Sequence, residues 1–234
     1  MNRSKPIVTW GAVAILVSGI AAALVSAHGL DSAHGPIASV TGAPSLGGLD
    51  AEADCTLCHQ DFENPCAPDP CNLNTPGGAV EILDLPEEGY VPGIAISLRV
   101  RLRTDSTLAS PARRWGFQLV AVSEGSGQGT GTWVLDPDTL DVVTGSDPYA
   151  SRQYLVHQYE GTRPGLAGPI EWTMAWMPPE SNEGNIIFCA AGNATNGNEE
   201  PGLGDFVFTS RETLPPSIVP VRPVSWGSLK SRYR

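Results

Sequence analysis

The sequence predicts an all-β sandwich, with a barrel as the second choice. Three observations carry this. Several stretches alternate apolar and polar residues with a period of two, as half-buried strands do. Their separators are dense in Gly, Pro, Asn and Asp: "EGSGQGTG", "DPDTLD", "GSDP", "GTRPGLAGP", "PPESNEG" and "GNATNGNEEPGLGD". No stretch carries a long amphipathic helical period. Many short strands with frequent turns fit a sandwich best.

The chain begins with "NRSK" (2–5), which holds two positive charges, followed by an uncharged apolar run over 6–27 that ends in Val25-Ser26-Ala27. This reads as residues 1–27 forming an export signal or an N-terminal membrane anchor. Both put the bulk of the chain outside the cytoplasm, in the periplasm or at the cell surface. Residues 28–54, rich in Gly, Ala, Ser and Pro with no hydrophobic period, read as a flexible linker. A cysteine-containing segment spans 55–76, and the β region 77–210.

In the first predicted strand, "IAISLRVRLR", Ile94, Ile96, Leu98, Val100 and Leu102 alternate with Ala95, Ser97, Arg99, Arg101 and Arg103. Further strands are expected at 114–122, 131–135, 152–159, 170–177, 185–191 and 205–210. Residues 211–234 read as a Pro-rich linker with a short basic-aromatic tail, because Pro215, Pro216, Pro220 and Pro223 exclude a strand in a sheet interior.

Charge narrows the partners. The formal net charge is −11, and loss of Arg3 and Lys5 with the leader would take the exported part to −13. Such a surface repels nucleic acid and anionic lipid, so neither is expected as a partner.

The stretch "DCTLCHQDF" (54–62) carries the chemistry. Two thiols three residues apart match the two vinyl groups of a porphyrin, and an imidazole immediately after reaches the iron. Cys55, Cys58 and His59 thus fit covalent haem c attachment, with His59 as proximal ligand. The same residues also admit a disulfide or redox pair, or a zinc site completed by Cys66 and Cys71. Under the haem reading Cys66 and Cys71 form a natural disulfide around "CAPDPC", and Cys189, in "IIFCAA", is a buried thiol. Candidates for a sixth ligand are His28, His34, His157, Met174 and Met177.

Four stretches point to a family: Cys55-x-x-Cys-His59, "RWGFQL" (114–119), "YLVHQYEGT" (154–162) and "AAGNATNGN" (190–198), accompanied by "IEWTMAWMPP". Over about residues 53–210 the chain resembles the reelin-domain-like bacterial family of choice-of-anchor V proteins. The resemblance implies an immunoglobulin-like, reelin-like sandwich, exported and held at the cell surface. It further implies haem on Cys55, Cys58 and His59, and it puts His157 at the position of a distal iron ligand. Members tend to end in a hydrophobic tail, whereas this sequence stops at "WGSLKSRYR". Retention through residues 6–27, or a docking role for the tail, is the expectation.

Other residues admit two readings. Arg99, Arg101 and Arg103 form either a solvated strand face or a basic stripe for haem propionates. Asp136, Asp138 and Asp141, and likewise Glu199, Glu200 and Asp205, are turn residues or calcium ligands without a defined spacing. No nucleophile–base pair, phosphate loop or framed carboxylate pair is present, so the expectation is a non-enzyme. The expected function is a monohaem electron carrier; the alternative is a surface or assembly subunit with structural cysteines. Partners would be a redox protein or a membrane electron-transfer complex, and self-assembly is a further possibility.

Overall fold

The computed structural model describes residues 35–59, 72–108, 111–198, 200, 202 and 204–217. The expected leader, His28, His34, the expected Cys66–Cys71 disulfide and the basic-aromatic tail lie outside the described residues. Among the described residues no helix is long and apolar enough to cross a membrane.

Among the described residues nine strands form two antiparallel sheets: β1 (Gly78–Leu83), β2 (Ile96–Thr104), β3 (Arg114–Ser123), β4 (Thr132–Val134), β5 (Leu140–Thr144), β6 (Gln153–His157), β7 (Ile170–Met177), β8 (Ile186–Thr195) and β9 (Phe206–Leu214). Sheet A has the order β1-β2-β7-β4, and sheet B the order β5-β6-β3-β8-β9. The inner faces supply one core, in which Leu98, Val100 and Leu102 meet Phe117, Leu119, Leu155, Phe188 and Phe208. Phe117 packs on Trp172 with ring centroids 4.6 Å apart, and Trp176 meets Phe188 edge-on at 5.0 Å. Contacts of this kind add to the area they bury.

The alternation in β2 and β7 behaves as expected. Leu98, Val100 and Leu102 point inward from β2, and Trp172, Met174 and Trp176 point inward from β7. Met174 therefore fills the core. Ile94 departs from the pattern: β2 begins only at Ile96, and Ile94 is exposed.

Strands β3 and β8 are buried on both faces, because a second layer covers the outer face of sheet B. That layer is residues 35–59, expected to be linker as far as 54. It is packed instead. Val40, Thr41 and Ala43 are buried, and Ala43 joins Val120, Val122, Tyr154, Val156, Ile187 and Cys189 in a second apolar cluster. The segment is fastened by polar groups more than by apolar ones. Gln118 accepts a hydrogen bond from the Val40 amide and donates to the Ile37 carbonyl, both at 2.8 Å. Glu52 is paired with Arg152 in full burial and accepts from Tyr154 and Thr41. Arg152 also donates to the Gly127 carbonyl.

Two strands were not expected. In β1, "GAVEIL", Val80 and Ile82 point inward; β5, "LDVVT", was masked by the turn residues on either side of it. Strand β9 also continues through Arg211–Leu214, into the stretch read as linker. Leu214 pairs with Ile186 and is buried, so the prolines end the sheet at 215 rather than at 211.

Candidate functional site

Cys55–Leu57 form a single 3-10 turn capped by Asp54, whose carboxylate accepts the Thr56 amide at 2.8 Å. The Cys58 and His59 amides both donate to the Cys55 carbonyl, at 3.3 and 2.9 Å. Cys55 opens this turn and Cys58 caps it, and the two lie at different depths. Cys55 is buried against Ala191, Val207 and Leu73, whereas Cys58 is exposed. Burial, reinforced by the neighbouring Asp54 and Cys58, pushes the Cys55 thiol up to about 12. Cys55, Cys58 and Cys189 are all free thiols.

The turn sits over one end of the outer face of sheet B. There the register places Gly116 of β3, Asn193 of β8 and Val207 of β9 in a row. Cys55 lies at the Val207 end and His157, the last residue of β6, at the Gly116 end. Pairing of β3 with β6 stops at Gln118–Val156, and the His157 ring then takes over from the ladder. Its Nδ1 lies 2.9 Å from the Phe117 amide nitrogen and 3.1 Å from the Phe117 carbonyl oxygen. The ring rests against Gly116, where a β-carbon would come within 2.5 Å of Cε1. A side chain at 116 would displace the imidazole.

His59 is held from the other side. Its Nδ1 lies 2.8 Å from Oδ2 of Asp205, a carboxylate only 2% exposed. Asn72 joins the two backbones by donating to the carbonyls of His59 at 2.6 Å and Asp205 at 2.9 Å. Both imidazoles thus have Nδ1 engaged. Burial is the main cause that pulls the His157 pKa down to about 4, with proximity to His59 acting in the same direction and the Phe117 backbone contact against it. At neutral pH His157 is the uncharged imidazole that a metal ligand must be. Between these groups the side-chain oxygen of Asn193 is buried and, like that of Asn72, has no hydrogen-bond partner among the described residues.

The structure therefore brings Cys55, Cys58, His59 and His157 to one end of one sheet face, although His157 is about a hundred residues away in sequence. Met174 is excluded from this site by its place in the inter-sheet core. The arginine stripe is excluded too. It lies on sheet A, where Arg99 pairs with Asp84 and Glu171, and Arg101 and Arg103 pair with Glu81. Asp136 caps its own turn by accepting the Asp138 amide at 3.1 Å. No group of three or more His, Cys, Asp and Glu side chains suited to a metal ion occurs among the described residues.

Sequence reading missed Gly116, Asn193 and Asn72, and it took Asp205 for a turn residue or calcium ligand. The "RWGFQL" and "AAGNATNGN" stretches were a signal. Gly116 makes room for His157, Gln118 pins residues 37–40, Ala191 receives Cys55, and Asn193 faces the site.

The fold and this face define the class: an all-β protein of two packed antiparallel sheets with a thiol–imidazole site on the outer face of one. No family model matches the chain, and no curated protein matches it. Among solved structures it is similar to the human F-spondin reeler domain, at 16% identity over 60% of this chain and 88% of that one, with a TM-score of 0.37. The Reelin-N domain of F-spondin is similar at 17% identity over 60% and 86%, with a TM-score of 0.35. A cohesin module from a Clostridium perfringens family 33 glycoside hydrolase is similar at 10% identity over 61% and 98%, with a TM-score of 0.42.

Proposed function

We propose that this protein is an exported monohaem c-type cytochrome that passes single electrons outside the cytoplasmic membrane and does not itself catalyse a reaction. The observation that carries this reading is that His59 and His157 come to the same end of the sheet B face that carries Cys55 and Cys58. With the Nδ1 proton of His59 donated to Asp205 and that of His157 to the Phe117 carbonyl, both rings keep Nε2 as the ligating nitrogen. The residues suit the group: two thiols at one short turn, a neutral imidazole on the same sheet face, a glycine where a side chain would intrude, and an unpartnered buried amide oxygen.

In this reading Cys55 and Cys58 tether the porphyrin, His59 is the proximal ligand and His157 the distal one. Haem c, when bound, supplies a one-electron iron couple whose potential follows axial ligands and burial. The chain's own part is to hold two imidazoles in fixed orientation and to shield one edge of the site with residues 35–59. The leader expected over residues 1–27 and the resemblance to choice-of-anchor V proteins support a place in the periplasm or at the cell surface. The partner would be a redox protein or a membrane electron-transfer complex.

A second reading, a docking or assembly subunit with structural cysteines, draws on one observation: Cys55 packs against Ala191, Val207 and Leu73 as a core residue does. Spectroscopy separates the two. Protein exported with haem maturation should show Soret and α bands and a pyridine-haemochrome signal that resists acid extraction. His157→Ala should keep the covalent haem and convert a low-spin spectrum to high-spin. A colourless wild type with intact thiols supports the subunit reading, and a spectrum unchanged in His157→Ala removes His157 as ligand.

A further inference from the structure

We propose that Asp205 is a positioning residue that fixes the ring of His59 and makes it the more electron-rich of the two axial imidazoles, holding the potential of the site down. This rests on the haem reading above and deepens it. An ionised carboxylate can only accept, so the short contact to Oδ2 requires the proton to sit on His59 Nδ1 and leaves the Nε2 lone pair for a metal. Asp205 is in turn held in place. Its Oδ1 accepts the Asn196 amide at 3.2 Å, and its carbonyl accepts from Asn72. Asn72 is anchored to β9 by the Val207 amide, which donates to its carbonyl at 2.9 Å. The carboxylate therefore cannot swing away from the ring without giving up the Asn196 amide.

Among the described residues His157 has no carboxylate partner; its Nδ1 meets the backbone of Phe117, a neutral group. The two imidazoles are thus chemically unequal: one backed by a buried charge, one by a peptide. A carboxylate behind a ligating imidazole raises its basicity, and a more basic ligand favours the more highly charged, oxidised metal. A purely structural Asp205 would close the loop before β9 equally well, but it would leave the potential alone.

The test uses the full-length exported holoprotein with Asp205→Asn and Asp205→Glu. The reduction potential is read by spectroelectrochemical titration, and the His59 ring nitrogens by NMR of the labelled protein. In Asp205→Asn the potential should move positive and the His59 Nδ1 proton should lose its strongly downfield position. Asp205→Glu should return both towards wild type. A folded, haem-loaded Asp205→Asn protein with an unchanged potential overturns the proposal and leaves the haem reading intact. If Asp205→Asn does not fold, the wild type alone decides: a strongly hydrogen-bonded Nδ1 proton on His59 supports the proposal, and a bare Nδ1 overturns it. A wild type that carries no haem overturns both, and is recognised by its lack of colour before any variant is made.

Discussion

Gly116 has no side chain because the imidazole of His157 occupies the space, and Gln118 is fully buried because both ends of its amide are used to hold residues 37–40. Single residues on this face are constrained by polar geometry as much as by volume. Cys189 shows the energetic side. It lies in the cluster beneath the covering segment, and burial first, then the charge of Glu52, pushes its thiol from an ordinary value of 9.0 up to about 12. Between those limits the unfolded chain releases a proton that the folded chain keeps. The contribution of Cys189 to stability is therefore intact below pH 9 and declines as pH rises through that window, by about 1.4 kcal/mol per pH unit at most. The phenol of Tyr154 and the thiol of Cys55 are displaced in the same direction, chiefly by burial. Urea unfolding of the haem-free protein at pH 8 and pH 10 should show a loss, and Cys189→Ala should make that loss smaller. An identical loss in the variant would mean that the Cys189 thiol is free to ionise in the fold.

Among the elements, the layer formed by residues 35–59 decides whether the cysteine turn is in place. It starts at Gly35 against the His157 carbonyl, crosses Gln118, and returns through Glu52 to the turn. Its main fastening is the Glu52–Arg152 pair, with both side chains out of solvent and Arg152 stacked 4.5 Å over the Tyr149 ring. Removing one partner strands the other charge in the interior, which costs about 3–5 kcal/mol. Glu52→Gln should lower the urea midpoint accordingly and expose residues 35–59 to protease before the strands are cut. A change within about 0.5 kcal/mol would place the clamp at the surface instead.

This layer was the least legible part of the sequence, and the reason is physical. Its residues are small and polar, and they are held by a buried ion pair and backbone hydrogen bonds, so no hydrophobic period marks them. Strands with one wet face, β2 and β7, were plain from alternation. Strand β5 was hidden by adjacent turn residues, and the end of β9 was lost because prolines follow it. Within the site, the thiols and His59 were legible as a local motif and His157 through the resemblance. Asp205 was not, because its partner is 146 residues away and nothing near it in sequence hints at an imidazole.

At the scale of the whole molecule, the described residues form a sandwich with an ordinary apolar inner core, and the thiols and imidazoles of the proposed site lie on the outer face of sheet B. Sheet A's outer face is a neutralised mosaic, with Arg99, Arg101 and Arg103 matched by Asp84, Glu81 and Glu171. Surface pairs of this kind contribute little to stability. Electron transfer would accordingly enter and leave on the side of Cys58 and His59, which are solvent-accessible, rather than through the sandwich.

The most direct measurement is the intact mass of the protein purified from the exported fraction, followed by the mass of the peptide containing Cys55, Cys58 and His59. The proposed function requires the polypeptide plus one porphyrin, with both sulfurs of that peptide alkylated by it. A polypeptide mass with no addition, and a peptide whose two thiols are still reactive, would contradict it.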